Sequence, residues 1–300
     1  MAVTILCLTP CHNAQMTIAL LIKVNDGLVL ASDSATTLTM RQPDGTDAVG
    51  NIYNNANKIF NLHKGLPIGA MTWGLGNIGP ASIATLAKDI RRRFQGQDSG
   101  HLDWKVDPDN YTVEELARKA REYLDGGRYD QVEMAASSSG EQPPVLGFLV
   151  AGYSSGADEP NAYVIQLGMS GAPDIEEIIP VESGAAWWGQ PEAIARILGG
   201  LSLAVPQALV NLGALGENDA NDLVGALRPQ LSPQMVVAAM PIKDAIDLGE
   251  YLVHATIQFV RFSPGNPTVG GPIEIATITK HEDYKWVKRK HFFDTHLNPA

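Results

Sequence analysis

Cysteine is nearly absent from this 300-residue chain: its two cysteines, Cys7 and Cys11, both fall in the opening segment. No disulfide can therefore staple the body of the fold. Basic residues are also scarce, 22 Lys and Arg against 33 Asp and Glu. The net charge of −11 and pI near 5.0 withhold the basic surface that nucleic acid or an anionic membrane demands. The one basic run, Lys285 to Lys290, is short. Long apolar runs are missing, so no transmembrane span is expected. The first residues carry no Lys or Arg before their apolar part and no small-x-small cleavage site, which argues against a secretory signal and for a cytoplasmic chain. Histidines at ligand spacing with a third ligand in view are missing too, although His291 and His296 lie near each other. No metal is expected.

What is present is the composition of a folded chain, 45% hydrophobic and 18% charged, with no internal repeat and no linker, so one main domain is expected. The most strand-like stretch runs from Thr17 to Val24, turns at Asn25-Asp26-Gly27 and returns from Leu28 to Ser34. A turn of residues that tolerate positive φ between two apolar runs predicts a hairpin. Residues 35–39 continue as strand, 40–57 read as a surface loop, and 58–62 with 66–72 make a second strand pair. A helix is predicted from about Pro80, with Ile83, Leu86, Ile90 and Phe94 on one face and Arg91, Arg92 and Arg93 near its end. Thr112 and Glu115 form a capping box that opens a second helix, stopped at Gly126-Gly127. Residues 135–144 read as a loop; 145–153, 162–168 and 175–181 as strands; 191–201, 206–227 and 242–262 as helices; 272–279 and 284–288 as closing strands. Strands and helices do not alternate as a parallel α/β protein requires. The order suits an α+β fold in which two antiparallel sheets stack face to face with helices on both outsides.

Three sets of residues carry candidate chemistry. Gly74, Gly76 and Gly79 match a dinucleotide fingerprint in letters, but no parallel strand with an acidic residue follows the helix. Gly152-Tyr-Ser154-Ser-Gly156 matches a nucleophile elbow, yet a strand follows where a helix is required, so a hairpin turn is the better reading. Trp187 and Trp188 offer aromatic surface with no assigned role. The third set is Thr17, Asp33 and Lys58. Singly, each is an ordinary strand residue, strand terminator or edge lysine. Together, at the ends of successive strands and with Met16 placed so that its removal exposes Thr17, they suggest a nucleophile that carries its own base.

From Thr17 to about Phe94 the chain resembles the proteasome β-subunit family, including the bacterial peptidases of two-component ATP-dependent proteases. The resemblance rests on the threonine at a strand start, on Ala31-Ser-Asp33-Ser-Ala-Thr-Thr37, on the strand opened by Lys58, and on Gly69-Ala-Met-Thr-Trp-Gly74. It implies a four-layer α-β-β-α sandwich, the N-terminal nucleophile hydrolase fold. It implies Thr17 as nucleophile, Lys58 as the group that lowers the proton affinity of its hydroxyl, Asp33 as the carboxylate orienting that lysine, and backbone N–H groups around Gly74 as oxyanion donors. Residues 1–16 become a leader, a propeptide or an unused upstream start, residues 17–290 the hydrolase domain and 291–300 a tail. The implied activity is cofactor-free hydrolysis of peptide bonds in peptide or protein substrates. The implied partners are copies of the chain in rings or stacked rings and an ATPase unfoldase. A scaffold subunit that keeps its leader and a small-molecule amidase are the alternatives. Where the family places a serine-bearing turn before its third helix, this chain has Trp187-Trp188-Gly189-Gln190.

Overall fold

The computed structural model describes residues 4–7, 17–42, 47–291, 293, 294 and 297. Fifteen strands and seven α-helices are assigned among them. In chain order, β1 is Thr4–Cys7, β2 Ile18–Val24, β3 Gly27–Ser32, β4 Thr36–Arg41, β5 Asp47–Tyr53, β6 Ile59–Asn61, β7 Ile68–Gly74, β8 Asn77–Ile78 and β9 Ala81–Ser82. Helices α1 (Ile83–Phe94), α2 (Val113–Leu124) and α3 (Asp130–Ser138) follow. Then come β10 (Leu146–Tyr153), β11 (Pro160–Leu167), β12 (Glu176–Glu177) and β13 (Gly184–Gly189). Helices α4 (Glu192–Gly199), α5 (Val205–Asn211), α6 (Glu217–Leu231) and α7 (Ile242–Phe262) precede β14 (Glu274–Thr279) and β15 (Asp283–Lys288).

A six-stranded sheet runs β1-β13-β2-β3-β14-β15 and a five-stranded sheet runs β12-β11-β10-β7-β6. All their pairings are antiparallel except β1 with β13. Every residue of β2 is buried, because the two faces of the strand meet different partners. Ile18, Leu20, Ile22 and Val24 pack with α4 and α7 residues such as Ile194, Leu198, Leu252 and Val253. Ala19 and Leu21 share a cluster with Met71, Trp73, Leu149 and Ala151 of the five-stranded sheet. That sheet's alternate residues, Leu146, Phe148 and Val150, pack with Ile90 and Phe94 of α1 and with Leu116 and Ala120 of α2. The fold is therefore mixed α/β, built on antiparallel sheets, and its period-two alternation assigns each strand residue to one of two cores.

Several elements depart from the sequence reading. Residues 40–57 are not a plain loop: β4 and β5 pair as a hairpin, with 43–46, which hold the expected turn residues, outside the described set. Leu38, Met40 and Tyr53 on this hairpin are exposed, so no core face announces it in the sequence. The first helix starts at Ile83, not Pro80, because β8 and β9 turn at Gly79-Pro80 and Ser82 caps the helix by accepting the Thr85 N–H at 3.2 Å. After α2 the chain kinks at Gly126 and Gly127, then resumes as α3 into the span read as loop. β13 went unassigned because Gly-Ala-Ala-Trp-Trp-Gly shows neither alternation nor β-branched residues. Of the segments expected as leader and tail, residues 1–3, 8–16, 292, 295, 296 and 298–300 lie outside the described set.

Trp187 and Trp188 are both buried and point to opposite faces of β13. The first joins the α4 and α7 cluster; the second stacks on Trp73 at 4.3 Å between ring centroids. Gly147 makes room for that stack, since a Cβ there would stand 2.0 Å from the Trp73 indole. Gly147→Ala is expected to lower unfolding free energy by about 1–3 kcal/mol, the usual cost of overpacking, as read by urea denaturation. An unchanged midpoint would show that the two indoles can yield.

Candidate active site

The hairpin geometry alone places two of the candidate residues together. Thr17 immediately precedes β2 and Asp33 immediately follows β3, so antiparallel pairing brings them to one end of the sheet, where the Asp33 N–H donates to the Ile18 carbonyl at 3.3 Å. Lys58 immediately precedes β6, and its carbonyl accepts the Thr72 N–H at 2.9 Å across to β7. The contact between the two sheets carries Lys58 to the Thr17 end of β2.

The three side chains then converge on one oxygen. Thr17 Oγ1 donates to Asp33 Oδ1 at 2.8 Å, and Lys58 Nζ pairs with the same Oδ1 at 2.5 Å while also donating to Thr17 Oγ1. Relative exposures are 4% for Thr17, 0% for Asp33 and 6% for Lys58. Buried charge is tolerated only when paired and hydrogen-bonded, and Asp33 meets that condition fully. Its Oδ1 also accepts the Ile18 N–H at 3.0 Å, and its Oδ2 accepts the N–H groups of Ala35 and Gly270, each at 3.0 Å. Burial pushes the Lys58 pKa below the ordinary lysine value of 10.5; the Asp33 carboxylate opposes that shift, and the neighbouring Lys290 ammonium adds to it. A lysine that gives up its proton more readily, in contact with a hydroxyl, can take the hydroxyl proton.

The backbone of Thr17 is fixed from the other side. Its carbonyl accepts the Gln190 N–H at 2.7 Å, at the end of β13. Gly189 has φ +98°, and a Cβ there would come within 2.0 Å of the Thr17 carbonyl oxygen, so both conformation and space require glycine. Gly74 ends β7 with φ +80°. The Thr72 N–H donates to the Lys58 carbonyl at 2.9 Å, so by ladder alternation the Gly74 N–H, two residues on, points to the same side, away from β10.

Thr17, Asp33 and Lys58 are thus in mutual contact, while Gly74 stands at the same end of β7 without a side chain to join them. The other two motifs dissolve. β7 pairs antiparallel with both β6 and β10, and a small hairpin separates it from α1, so Gly74, Gly76 and Gly79 do not form a dinucleotide turn. Gly152 and Gly156 bracket the β10–β11 connection, and Ser154 Oγ accepts the Val113 N–H at 3.0 Å at the start of α2. Sequence reasoning gave no role to Gly270, Gln190, Glu274 or Lys290; the Gly-Gly-Pro run at 270–272 is a local signal that could have drawn attention to the first. Among the described residues no group of three or more His, Cys, Asp or Glu is placed to hold a metal ion. No helix among them is long and apolar enough to cross a membrane. No protein-family model matches the chain, and no curated protein matches it.

Lys58→Met leaves Asp33 buried without its counter-charge and is expected to cost roughly 3–5 kcal/mol of stability. The double variant Asp33→Asn/Lys58→Met should recover part of that loss. Chemical denaturation of the three proteins checks this, and a double variant no better than the single would contradict the pairing.

Proposed function

We propose that the chain is a proteasome-like threonine hydrolase, cytoplasmic and cofactor-free, that cleaves peptide bonds through an ester on Thr17. The supporting observation is the contact of the Thr17 hydroxyl with both a buried lysine and a buried carboxylate. In this reading the six- and five-stranded sheets and the helices against their outer faces make the four-layer α-β-β-α sandwich of N-terminal nucleophile hydrolases. Residues 17–290 form that domain, and removal of residues 1–16 frees the Thr17 amine.

Thr17 Oγ1 attacks the substrate carbonyl carbon, and its proton passes to Lys58 Nζ in the fraction of molecules in which Lys58 is neutral, a fraction that burial raises, or to the freed amine of Thr17. The negative charge that develops on the carbonyl oxygen is met by the Gly74 N–H. The carbon–nitrogen bond breaks, the leaving amine takes the proton, and water hydrolyses the Thr17 ester. Asp33 keeps Lys58 and Thr17 on one oxygen, so that neither needs to reorganise during the reaction. Ring assembly from copies of the chain and delivery of substrate by an ATPase unfoldase belong to the same proposal.

A specific observation favours a second reading. β1, within the leader, adds to the sheet edge beside β13 in parallel register, Thr4 opposite Gly184 through Cys7 opposite Trp187. A docked leader fits a scaffold subunit, or a precursor, in which Thr17 has no free amine.

The test uses a panel of fluorogenic peptidyl-coumarin substrates. Thr17→Ala is expected to remove turnover, and Thr17→Ser to retain it; unchanged turnover in Thr17→Ala would refute the nucleophile. Because Lys58 must be neutral to accept the proton, the rate should rise with pH through a window below 10.5. A flat profile across that window would remove Lys58 as the base.

A further inference from the structure

A second ion pair, with a buried carboxylate and a half-buried lysine, adjoins the segments that carry the first. Lys290, near the end of the described chain, sends Nζ inward to Glu274 of β14, 2.8 Å from Oε2, and Glu274 is only 1% exposed. The same Nζ donates to Ser34 Oγ at 2.7 Å and to the Ala56 carbonyl at 2.6 Å. These are not remote positions. Ser34 adjoins Asp33, Ala56 lies two residues before Lys58, and the Ala56 N–H donates to the Ser34 carbonyl at 2.9 Å. Ser34 Oγ in turn donates to the Pro272 carbonyl at 2.5 Å, while Ser34 N–H donates to the Gly270 carbonyl at 2.9 Å. One ammonium therefore ties the segment carrying Asp33 to the segment carrying Lys58.

We propose that Lys290 and Glu274 form a positioning pair for the site: the Lys290 ammonium, held by Ser34, Ala56 and Glu274, stands as a like charge toward Lys58, and Glu274 offsets it. The proposal rests on the Thr17 hydrolase reading only for its catalytic consequence. Its physical content is that the Lys290 ammonium is held on the residue after Asp33 and on the residue two before Lys58, and neighbouring like charges each disfavour the protonated form of the other. Lys290 lowers the Lys58 pKa, and Glu274 raises it by a smaller amount. The charged and titratable groups facing this network are Asp33 beyond Lys58, with Tyr284, Arg91 and Arg289 around Glu274. Lys88 lines the same small cavity beside Glu274. The acids that act on Lys290 are Glu274, which it touches, and Asp33.

The two partners should then act with opposite sign. Lys290→Met removes the repelling ammonium, so Lys58 should titrate at higher pH than in the parent. Glu274→Gln removes the offset and leaves Lys290 in place, so Lys58 should titrate at lower pH. Lys290→Arg keeps the charge and should keep most of the parent value. The measurement is a pH titration of ε-¹³C-lysine-labelled protein by NMR, with the Lys58 resonance assigned by its loss in Lys58→Arg, and with circular dichroism confirming that each variant is folded. A purely structural role would shift both variants in the same direction, or neither. If Lys290→Met orphans Glu274 and fails to fold, Glu274→Gln alone carries the test, since its acid-ward shift has no structural explanation. Lys58 midpoints that move together, or a Glu274→Gln midpoint that does not move, would overturn the inference. The titration needs no turnover, so this result stands apart from whether Thr17→Ala abolishes hydrolysis. If both hold, the acidic limb of the rate profile should move with the NMR midpoints in the same two directions.

Discussion

A single carboxylate that must remain buried organises the site. Asp33 is wholly removed from water, and the cost of that burial is offset by five donors that come from four separated parts of the chain: Thr17 and Ile18, Ala35, Lys58, and Gly270. Misplacing any of these segments leaves an uncompensated charge in a low-dielectric interior. The demand for charge satisfaction thus couples the β2–β3 hairpin, the first strand of the other sheet and the segment leading into β14. The threonine hydroxyl is positioned as a by-product of the same requirement, because it is one of the five donors.

Around this centre the fold supplies strand ends. β2 and β3 present Thr17 and Asp33, β6 and β7 present Lys58 and Gly74, and β13 fixes the Thr17 carbonyl through Gln190. Strand ends suit such a task, since the strands are locked by two cores while their end residues come together from different strands. The second ion pair extends the design outward. Glu274 lies in β14 opposite Ser32 of β3, the residue before Asp33. Lys290 closes the network from near the chain's end, which ties the state of the C-terminal segment to the state of the site.

How much of this was legible in the sequence follows from which interactions are local. The hairpin at Asn25-Asp26-Gly27 was readable because turn chemistry and flanking apolar runs sit side by side, and Thr17, Asp33 and Lys58 stand out because each occupies the end of a readable strand. Helix α1 and helix α2 were readable from period and capping, apart from the three-residue error at Pro80, where a tiny hairpin imitates a helix start. β13 was not readable: its alanines and glycines carry no β signal, and only burial on both faces makes it a strand. The β4–β5 hairpin escaped for the opposite reason, since its exposed Leu38 and Met40 have no buried face to betray a period. Lys290 and Glu274 were invisible because a lysine in a basic run and a glutamate in a strand carry no mark of the long-range contact that gives them meaning.

The account turns on Thr17 becoming a chain terminus. The most direct measurement is the intact mass and N-terminal sequence of protein expressed with residues 1–16 present. A chain that begins at Thr17 is the expected result, because only then do nucleophile and amine occupy one residue. A chain that keeps residues 1–16 and still hydrolyses peptides would contradict the N-terminal nucleophile mechanism and leave the Thr17, Asp33 and Lys58 cluster with a different chemistry.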